Sequence, residues 1–337
     1  MANDSHQTSV EAQIARYLPF GAGVRLIGAD ANGVFAVDKP PGVLSHPNGP
    51  KDGSGSLIEA PYDAERRCYG PFAEGCPFTE VFLLHRLDSA TSGVIVLATR
   101  EDVATVLREA FESEKVQKRY HALVKGRPPA VPPVWVDRLE RTHRDGKLRV
   151  VAGQGAPVRT AHNWLRSDPN QIGAGLLELR PVTGRSHQLR VQCKLHGCPI
   201  LGDRTYGDFA WNKRVRQRGV SRRLFLHASD ITLPYHYRGA DHTFTASAPL
   251  PVAFHEVLEP NAHLDADATP ETGAAPSDTP AEPAPPHRSG SGSRSSSSHR
   301  HHRGSSSHSK PRSGKSGRRG KGGHHHGFDA GSGTANT

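Results

Sequence analysis

The sequence predicts an α+β fold, in which one domain is built on a mixed, largely antiparallel sheet with flanking helices and loops. Short apolar runs rich in β-branched residues recur along residues 23–260, and Gly and Pro turns separate them, a pattern typical of strands. Few stretches show the apolar periodicity of a helix. Many strands with few helices favour α+β over alternating βαβ units.

The N-terminal part begins with a predicted short helix over residues 9–18, with Glu11 in its first turn. A strand over 34–37 runs into a turn at 38–42, where two prolines and a glycine end it. Residues 48–79 are rich in Gly and Pro and are expected to form a long surface loop.

Two apolar runs in the centre of the chain, 81–84 and 94–98, predict buried strands on either side of a polar loop. An amphipathic helix is expected over residues 101–115. Its apolar residues share one face: Val103, Val106, Leu107, Ala110 and Phe111. Further short strands are predicted at residues 120–124, 148–151, 161–165, 176–179, 225–228 and 231–233. Residues 187–196 fit both a strand and a helix, and periodicity leaves that element open.

The C-terminal segment, residues 261–337, has almost no large apolar residue and is predicted to be disordered, because it cannot bury enough surface to offset its ordering entropy. Residues 261–287 carry five acids and no Lys or Arg, whereas 288–337 carry ten Lys or Arg and one acid. The net charge of the chain is +10. A basic body and a basic tail tip favour a polyanionic partner.

Four cysteines, at spacings that match no zinc pattern, predict neither a metal site nor a disulfide scaffold. The first 20 residues lack the apolar stretch of a signal peptide. No run approaches the 18 apolar residues of a membrane span. We therefore expect a cytoplasmic protein with no membrane partner.

The loop between the two central strands carries Arg86 and Asp88, two residues apart. A carboxylate held between buried strands suits catalysis, and the adjacent arginine suggests an anionic substrate. Taken alone, a loop aspartate more often makes turn hydrogen bonds or faces water. Tyr120 alone is more often a core residue, and Arg185 alone a solvated surface arginine.

Taken together, these segments resemble the RluA-type RNA pseudouridine synthases. HRLDSATSG at residues 85–93 resembles the family's signature loop HRLDxxTSG. Further matches follow in the family's order: KPPG at 39–42 with SHP at 45–47, RYHALVKG at 119–126, GRSHQLR at 184–190, PILGDRTYG at 199–207 and LHA at 226–228. The resemblance covers roughly residues 30–255.

Composition leaves residues 23–260 as the only predicted folded unit, after an N-terminal extension over 1–22, and the resemblance implies that this unit is the catalytic domain. It implies that Asp88 is the essential aspartate and that Arg185 holds it through two hydrogen bonds. Tyr120 would pack on the uracil and could remove the C5 proton late in the reaction. RNA contacts are expected from four residues: Arg86, which would fill the gap left by the everted uridine, His46, His187 and Arg190.

The resemblance also implies a helix over residues 187–196, capped by Thr183 or Ser186. No cofactor or metal is implied. The expected partner is a structured RNA, either ribosomal or transfer RNA, and the basic tail would add affinity without reading sequence. A monomer is expected.

Two other readings compete with an RNA-modifying isomerase. A non-catalytic RNA-binding protein of the same fold, acting in ribosome assembly, would not need all three of Asp88, Tyr120 and Arg185. A glycoside hydrolase needs two facing acids. Asp203 is the only other acid within a family-like motif, and the turn around it suggests a structural role.

Overall fold

The computed structural model of the protein describes residues 2–47, 49, 55–144 and 147–260. In these residues the helices are α1 (Ala2–Tyr17), α2 (Glu101–Glu112), α3 (Gln188–Leu195), α4 (Phe209–Gln217) and α5 (Val252–Leu258). The strands are β1 (Arg25–Ala29), β2 (Val34–Lys39), β3 (Tyr62–Asp63), β4 (Cys68–Tyr69), β5 (Val81–Leu83), β6 (Ser92–Ala98), β7 (Gln117–Lys125), β8 (Val134–Arg144), β9 (Lys147–Ser167), β10 (Ala174–Pro181), β11 (Leu226–Tyr237) and β12 (Ala240–Ser247). The predicted tail lies outside the described residues.

Within the described residues the strands join one twelve-stranded sheet, with the order β3-β4-β5-β6-β11-β7-β10-β9-β8. Strands β1, β2 and β12 pair at the sides of this path. The pair β6 and β11 is parallel, and the neighbouring pairs are antiparallel. The predicted α+β class, with a mixed and largely antiparallel sheet, is confirmed.

Strand β6 is buried on both faces, which explains its nearly continuous apolar run. Val94, Val96 and Ala98 pack in a cluster with α2, whereas Ile95 and Leu97 pack in a second cluster on the opposite face. This alternation is the two-residue period of a strand. Ile14 and Leu18, from the N-terminal segment, belong to that second cluster. The division at residues 22 and 260 stays a prediction.

Strand β7 is covered on both faces in the same way. Leu123 packs in a cluster with residues of α4 and α5, and Ala122 and Val124 pack in a cluster with Leu189 and Cys193 of α3. The ambiguous segment 187–196 is therefore a helix, laid on the face of the sheet that carries the cleft described below. The four cysteines, all within the described residues, are free thiols. None of the described helices is long and apolar enough to cross a bilayer.

Three expectations about elements were wrong in extent. The separate strands at 148–151 and 161–165 are one strand, β9, and those at 225–228 and 231–233 are one strand, β11. The loop at 48–79 is not wholly superficial, because Leu57, Ile58 and Tyr69 are fully buried.

Candidate active site

Lys39, which is fully buried, anchors the loop between β5 and β6 from the protein interior. Its Nζ donates to the carbonyl oxygens of Pro40, Val43 and Ser89, at 3.0, 2.8 and 2.9 Å. Burial lowers the pKa of Lys39 to about 7, and the negative charge of Asp88 acts in the opposite direction. These three bonds fix the backbone beside Asp88.

Asp88 lies in this loop, and its side chain is 26% exposed. Its Oδ2 accepts a hydrogen bond of 2.8 Å from Nη1 of Arg190, on the first turn of α3. The same guanidinium donates two hydrogen bonds to the carboxylate of Asp203, from Nε at 2.7 Å and from Nη2 at 2.9 Å. Arg190 therefore links Asp88, the candidate catalytic carboxylate, to the structural carboxylate of Asp203.

Asp203 is the fixed end of this chain of contacts. Its side chain is 1% exposed and also accepts hydrogen bonds from the backbone N–H groups of Thr205 and Tyr206. Burial disfavours charge on both Asp203 and Arg190, but their mutual hydrogen bonds lower the pKa of Asp203 and raise that of Arg190. Both groups are therefore charged at neutral pH.

The expectation that Arg185 holds Asp88 is wrong, because Arg190 makes that hydrogen bond. Arg185 lies ahead of α3 with an exposed side chain, whereas Arg190 lies on the helix and is 9% exposed. The start of α3 decides this difference, because it turns Arg190 toward the loop.

The predicted cap is also wrong. His187 is the N-cap residue, in a left-handed conformation without a side-chain cap bond, and the Gln188 side chain instead accepts from Thr183 Oγ1 and the Arg185 N–H.

His187 also faces Asp88, with Nε2 at 3.8 Å from the same Oδ2 that Arg190 contacts. Its Nδ1 lies 2.8 Å from the hydroxyl of Tyr206, and that oxygen accepts a hydrogen bond from the N–H of Val150. We infer that Tyr206 donates to Nδ1, which leaves the proton on Nε2, toward Asp88. Burial lowers the pKa of His187, although Asp88 opposes the shift, so the neutral ring is favoured.

Tyr120, on β7, lies half-buried in the cleft. Burial raises its pKa, and the negative charge of Asp88 raises it further. A phenol in this setting is protonated at neutral pH, and the removal of the C5 proton by Tyr120 stays a prediction. The ring remains well placed to pack against a planar group.

Arg86 is exposed on the same loop and is oriented by His46. Its Nη1 lies 2.9 Å from Nε2 of His46, whose Nδ1 lies 2.9 Å from the carbonyl oxygen of Pro47. The His46 ring also stacks on Tyr62, at 4.9 Å between centroids and 9° between planes. In the tautomer that satisfies both contacts, Nδ1 donates to Pro47 and Nε2 accepts from Arg86.

All seven predicted site residues line one cleft of about 900 Å³. Two further cations, Arg67 and Lys118, also line it, so five Lys or Arg in total stand against the acids Asp88 and Glu112. The cleft is therefore basic around one held carboxylate, and it suits a nucleotide or a short run of nucleotides.

Sequence reasoning missed three residues that complete this site. Lys39 and Tyr206 lie inside quoted motifs, so their positions carried a signal, but the motifs do not reveal their contacts. Tyr62 lies in the stretch expected to be loop, and we find no sequence signal for its stack on His46.

Comparison with known proteins agrees with this geometry. A family profile described as RNA pseudouridylate synthase matches residues 33–195. The ribosomal large subunit pseudouridine synthase C of Haemophilus ducreyi is 36% identical over 170 residues, which are 50% of this chain and 51% of the relative. The dual-specificity RNA pseudouridine synthase RluA of Escherichia coli is 33% identical over 216 residues, 64% of this chain and 89% of the relative.

A solved structure, human RNA pseudouridylate synthase domain containing 4, shares the fold with a TM-score of 0.50 and 24% identity, covering 76% of this chain and 96% of the other. The chain spans about half the length of the first curated relative it matches, but nearly all of the relative from Escherichia coli. The held aspartate, the basic cleft and these similarities lead to one conclusion: the chain belongs to the RluA-type family of RNA pseudouridine synthases.

Proposed function

We propose that this protein is an RNA pseudouridine synthase, an isomerase that converts specific uridines in structured RNA to pseudouridine. One observation carries the proposal: Asp88 is fixed by Arg190 inside a basic cleft of about 900 Å³. The reaction breaks the bond from N1 of the uracil to C1′ of the ribose and forms a bond from C5 to C1′, while C5 loses a proton and N1 gains one. The atoms of substrate and product are the same, so no redox cofactor is required.

A uridine stacked in RNA hides these atoms and must first be everted, at a cost of a few kcal/mol. Arg86 is exposed at the rim of the cleft, where its guanidinium can occupy the gap left in the stack. His46 holds that guanidinium before RNA arrives, which lowers the entropy lost on binding. We assign eversion to Arg86 and its orientation to His46.

The held carboxylate then acts on the everted nucleotide. Asp88 is directed by the hydrogen bond from Arg190 and also faces Nε2 of His187. This position supports attack on the sugar, attack on the base, or assistance to a glycal route. Tyr120 packs against the uracil face, and Arg185, exposed at the rim, contacts the RNA backbone.

The substrate class follows from the relatives' names and from the charge of the chain. Curated relatives are named for the large ribosomal subunit, for transfer RNA, or for dual specificity. The net charge of +10 supports a polyanionic partner. We propose a ribosomal or transfer RNA stem-loop as substrate, a monomeric enzyme acting in the cytoplasm, and additional RNA retention by residues 288–337.

The test is pseudouridine mapping of cellular RNA with and without the gene, followed by rescue with wild type or Asp88→Asn. We expect one or a few discrete sites to disappear, wild type to restore them and Asp88→Asn to restore none. The isolated variant should be at least about a hundredfold slower, because the amide cannot act as a carboxylate. Rescue by Asp88→Asn would support the non-catalytic RNA-binding alternative.

A further inference from the structure

Helix α4 and the loops beside it form a second basic surface, outside the cleft. Residues 201–225 contain seven Lys or Arg and two acids, Asp203 and Asp208. Asp203 is bound to Arg190, and Asp208 pairs with Lys125 and caps α4. Five cations are exposed, and none of them forms an ion pair with any acid that the structure describes: Arg204, Lys213, Arg214, Arg216 and Arg222.

The packing of α4 fixes the direction of this surface. Trp211 and Val215 are buried, and Nε1 of Trp211 donates to the carbonyl oxygen of Ile172 at 2.7 Å. The opposite side of the helix must therefore face solvent. Phe209, Lys213 and Arg216 follow one another at i, i+4 and i+7 on that side. Phe209 is 59% exposed at the start of the row.

A small cavity of about 170 Å³ lies where the helix meets its flanking loops. Its lining includes three arginines from different segments, Arg204, Arg216 and Arg222, together with Phe209. Planar guanidinium groups bind phosphate oxygens through paired hydrogen bonds. An exposed aromatic ring beside such cations is typical of surfaces that follow a nucleic-acid strand.

The turn from Leu201 to Gly207 connects this cavity to the cleft. The side chains of Asp203 and Tyr206 contact Arg190 and His187 in the candidate active site. Arg204, which lies between them in sequence, lines the small cavity instead. The two sites therefore share one turn.

We propose that this surface, the α4 face, binds phosphate groups of the substrate RNA away from the target uridine. The inference rests on the proposed function and extends it, because it requires a substrate larger than the stem-loop that enters the cleft. The α4 face then contributes affinity for the long RNA, and the cleft alone determines the rate of the chemical step.

The test uses the full chain and its triple variant Lys213→Gln, Arg214→Gln, Arg216→Gln. A matched control, Arg16→Gln, Arg100→Gln, Arg238→Gln, removes the same charge from exposed positions elsewhere. Substrates are a long transcript that contains the modified site and a minimal stem-loop of the same site. Dissociation constants are measured against salt concentration, and single-turnover rates at saturating enzyme.

We expect the α4 variant to bind the long transcript at least about tenfold more weakly at physiological salt. The slope of log affinity against log salt should fall by two to three, as expected for about three lost phosphate contacts. The saturated rate on the stem-loop should match wild type, and the control triple should keep the wild-type salt slope.

Unchanged affinity and slope in the α4 variant would overturn the inference, as would an equal loss in the control. A lower saturated rate on the stem-loop would also overturn it, because the surface would then act on chemistry or folding. Loss of binding to anionic phospholipid vesicles, with RNA binding intact, would assign the surface to membranes. If wild type binds the long transcript through the α4 face but modifies neither RNA, the proposed function fails and the inference stands.

Discussion

At the scale of single residues, the site depends on one guanidinium shared between two carboxylates. Arg190 donates one N–H to Asp88 and two to Asp203. The pair with Asp203 fixes the plane of the guanidinium, so the N–H of Nη1 that reaches Asp88 has a fixed direction. Asp88 is thereby oriented by a guanidinium that is itself held by the buried carboxylate of Asp203.

Replacing Arg190 by Lys tests this arrangement. An ammonium cannot maintain the planar fork toward Asp203 and reach Asp88 at the same time. We expect the single-turnover rate to fall by about a hundredfold, with RNA affinity changed by only a few-fold. Arg185→Lys is the matched control and should keep the rate within a few-fold of wild type. Circular dichroism shows whether each variant is folded.

The opposite pattern, with Arg185→Lys slow and Arg190→Lys near wild type, would contradict the assignment of Arg190. Arg185 and Arg190 also show how much of the site could be predicted from the sequence. The motif locates both, five residues apart, but which one faces Asp88 depends on the residue at which α3 begins. That boundary is set by tertiary packing of Leu189 and Cys193 against the sheet, which periodicity could not determine.

At the scale of elements, the parallel contact between β6 and β11 places the signature loop over the sheet. Gly93 pairs with Ala228 in this contact and has φ of +111°. A Cβ at position 93 would lie 2.1 Å from the carbonyl oxygen of Ala228. Only glycine fits there, which explains the last residue of the HRLDxxTSG pattern in physical terms.

We therefore expect Gly93→Ala to destabilise the protein by more than about 2 kcal/mol, since the strands must separate to admit the methyl group. Gly239→Ala is the control, because Gly239 also has positive φ but faces open space. It should cost about 1 kcal/mol from backbone strain alone. Urea unfolding of both variants measures the difference, and equal losses would mean that the strand contact is not the cause.

Elements with strong local patterns were predicted, and those that depend on partners were not. Strands β5 and β6 and helix α2 lie close to their predicted bounds, because apolar runs or a single apolar face define them. Strand β9 was divided because Gly153, Gly155 and Pro157 indicate a turn. In the sheet they form a bulge against Arg138 and Leu139. Helix α4 was missed because its row of cations masks a short apolar face.

At the scale of the whole molecule, two histidines with lowered pKa values connect the stability of the fold to pH. His85, in the signature loop, accepts a hydrogen bond from the N–H of Val96, and burial lowers its pKa to about 3. His227, on β11, is fully buried between Ser92 and Ala248, and burial lowers its pKa to about 4. Both are neutral in the folded protein and bind protons near pH 6.5 once unfolded.

The free energy of unfolding should therefore fall as pH decreases below about 6.5, because the unfolded state then binds more protons than the folded one. We expect His85→Gln to make this dependence shallower by about half a proton at pH 6.5 and about one proton near pH 5, where the difference reaches about 1.4 kcal/mol per pH unit. Denaturant unfolding between pH 6.5 and 5 measures it. A slope in His85→Gln equal to wild type would show that His85 does not titrate on unfolding.

The most direct test of the account as a whole is release of tritium from RNA that carries [5-³H]uridine. Forming the bond from C5 to C1′ expels the C5 hydrogen, so each turnover must release one tritium to water. We predict release at discrete uridines by the full wild-type chain and background release by a folded Asp88→Asn variant of equal RNA affinity. Wild-type release at background level on both ribosomal and transfer RNA, or equal release by the variant, would contradict the claim that a held aspartate drives uridine isomerisation.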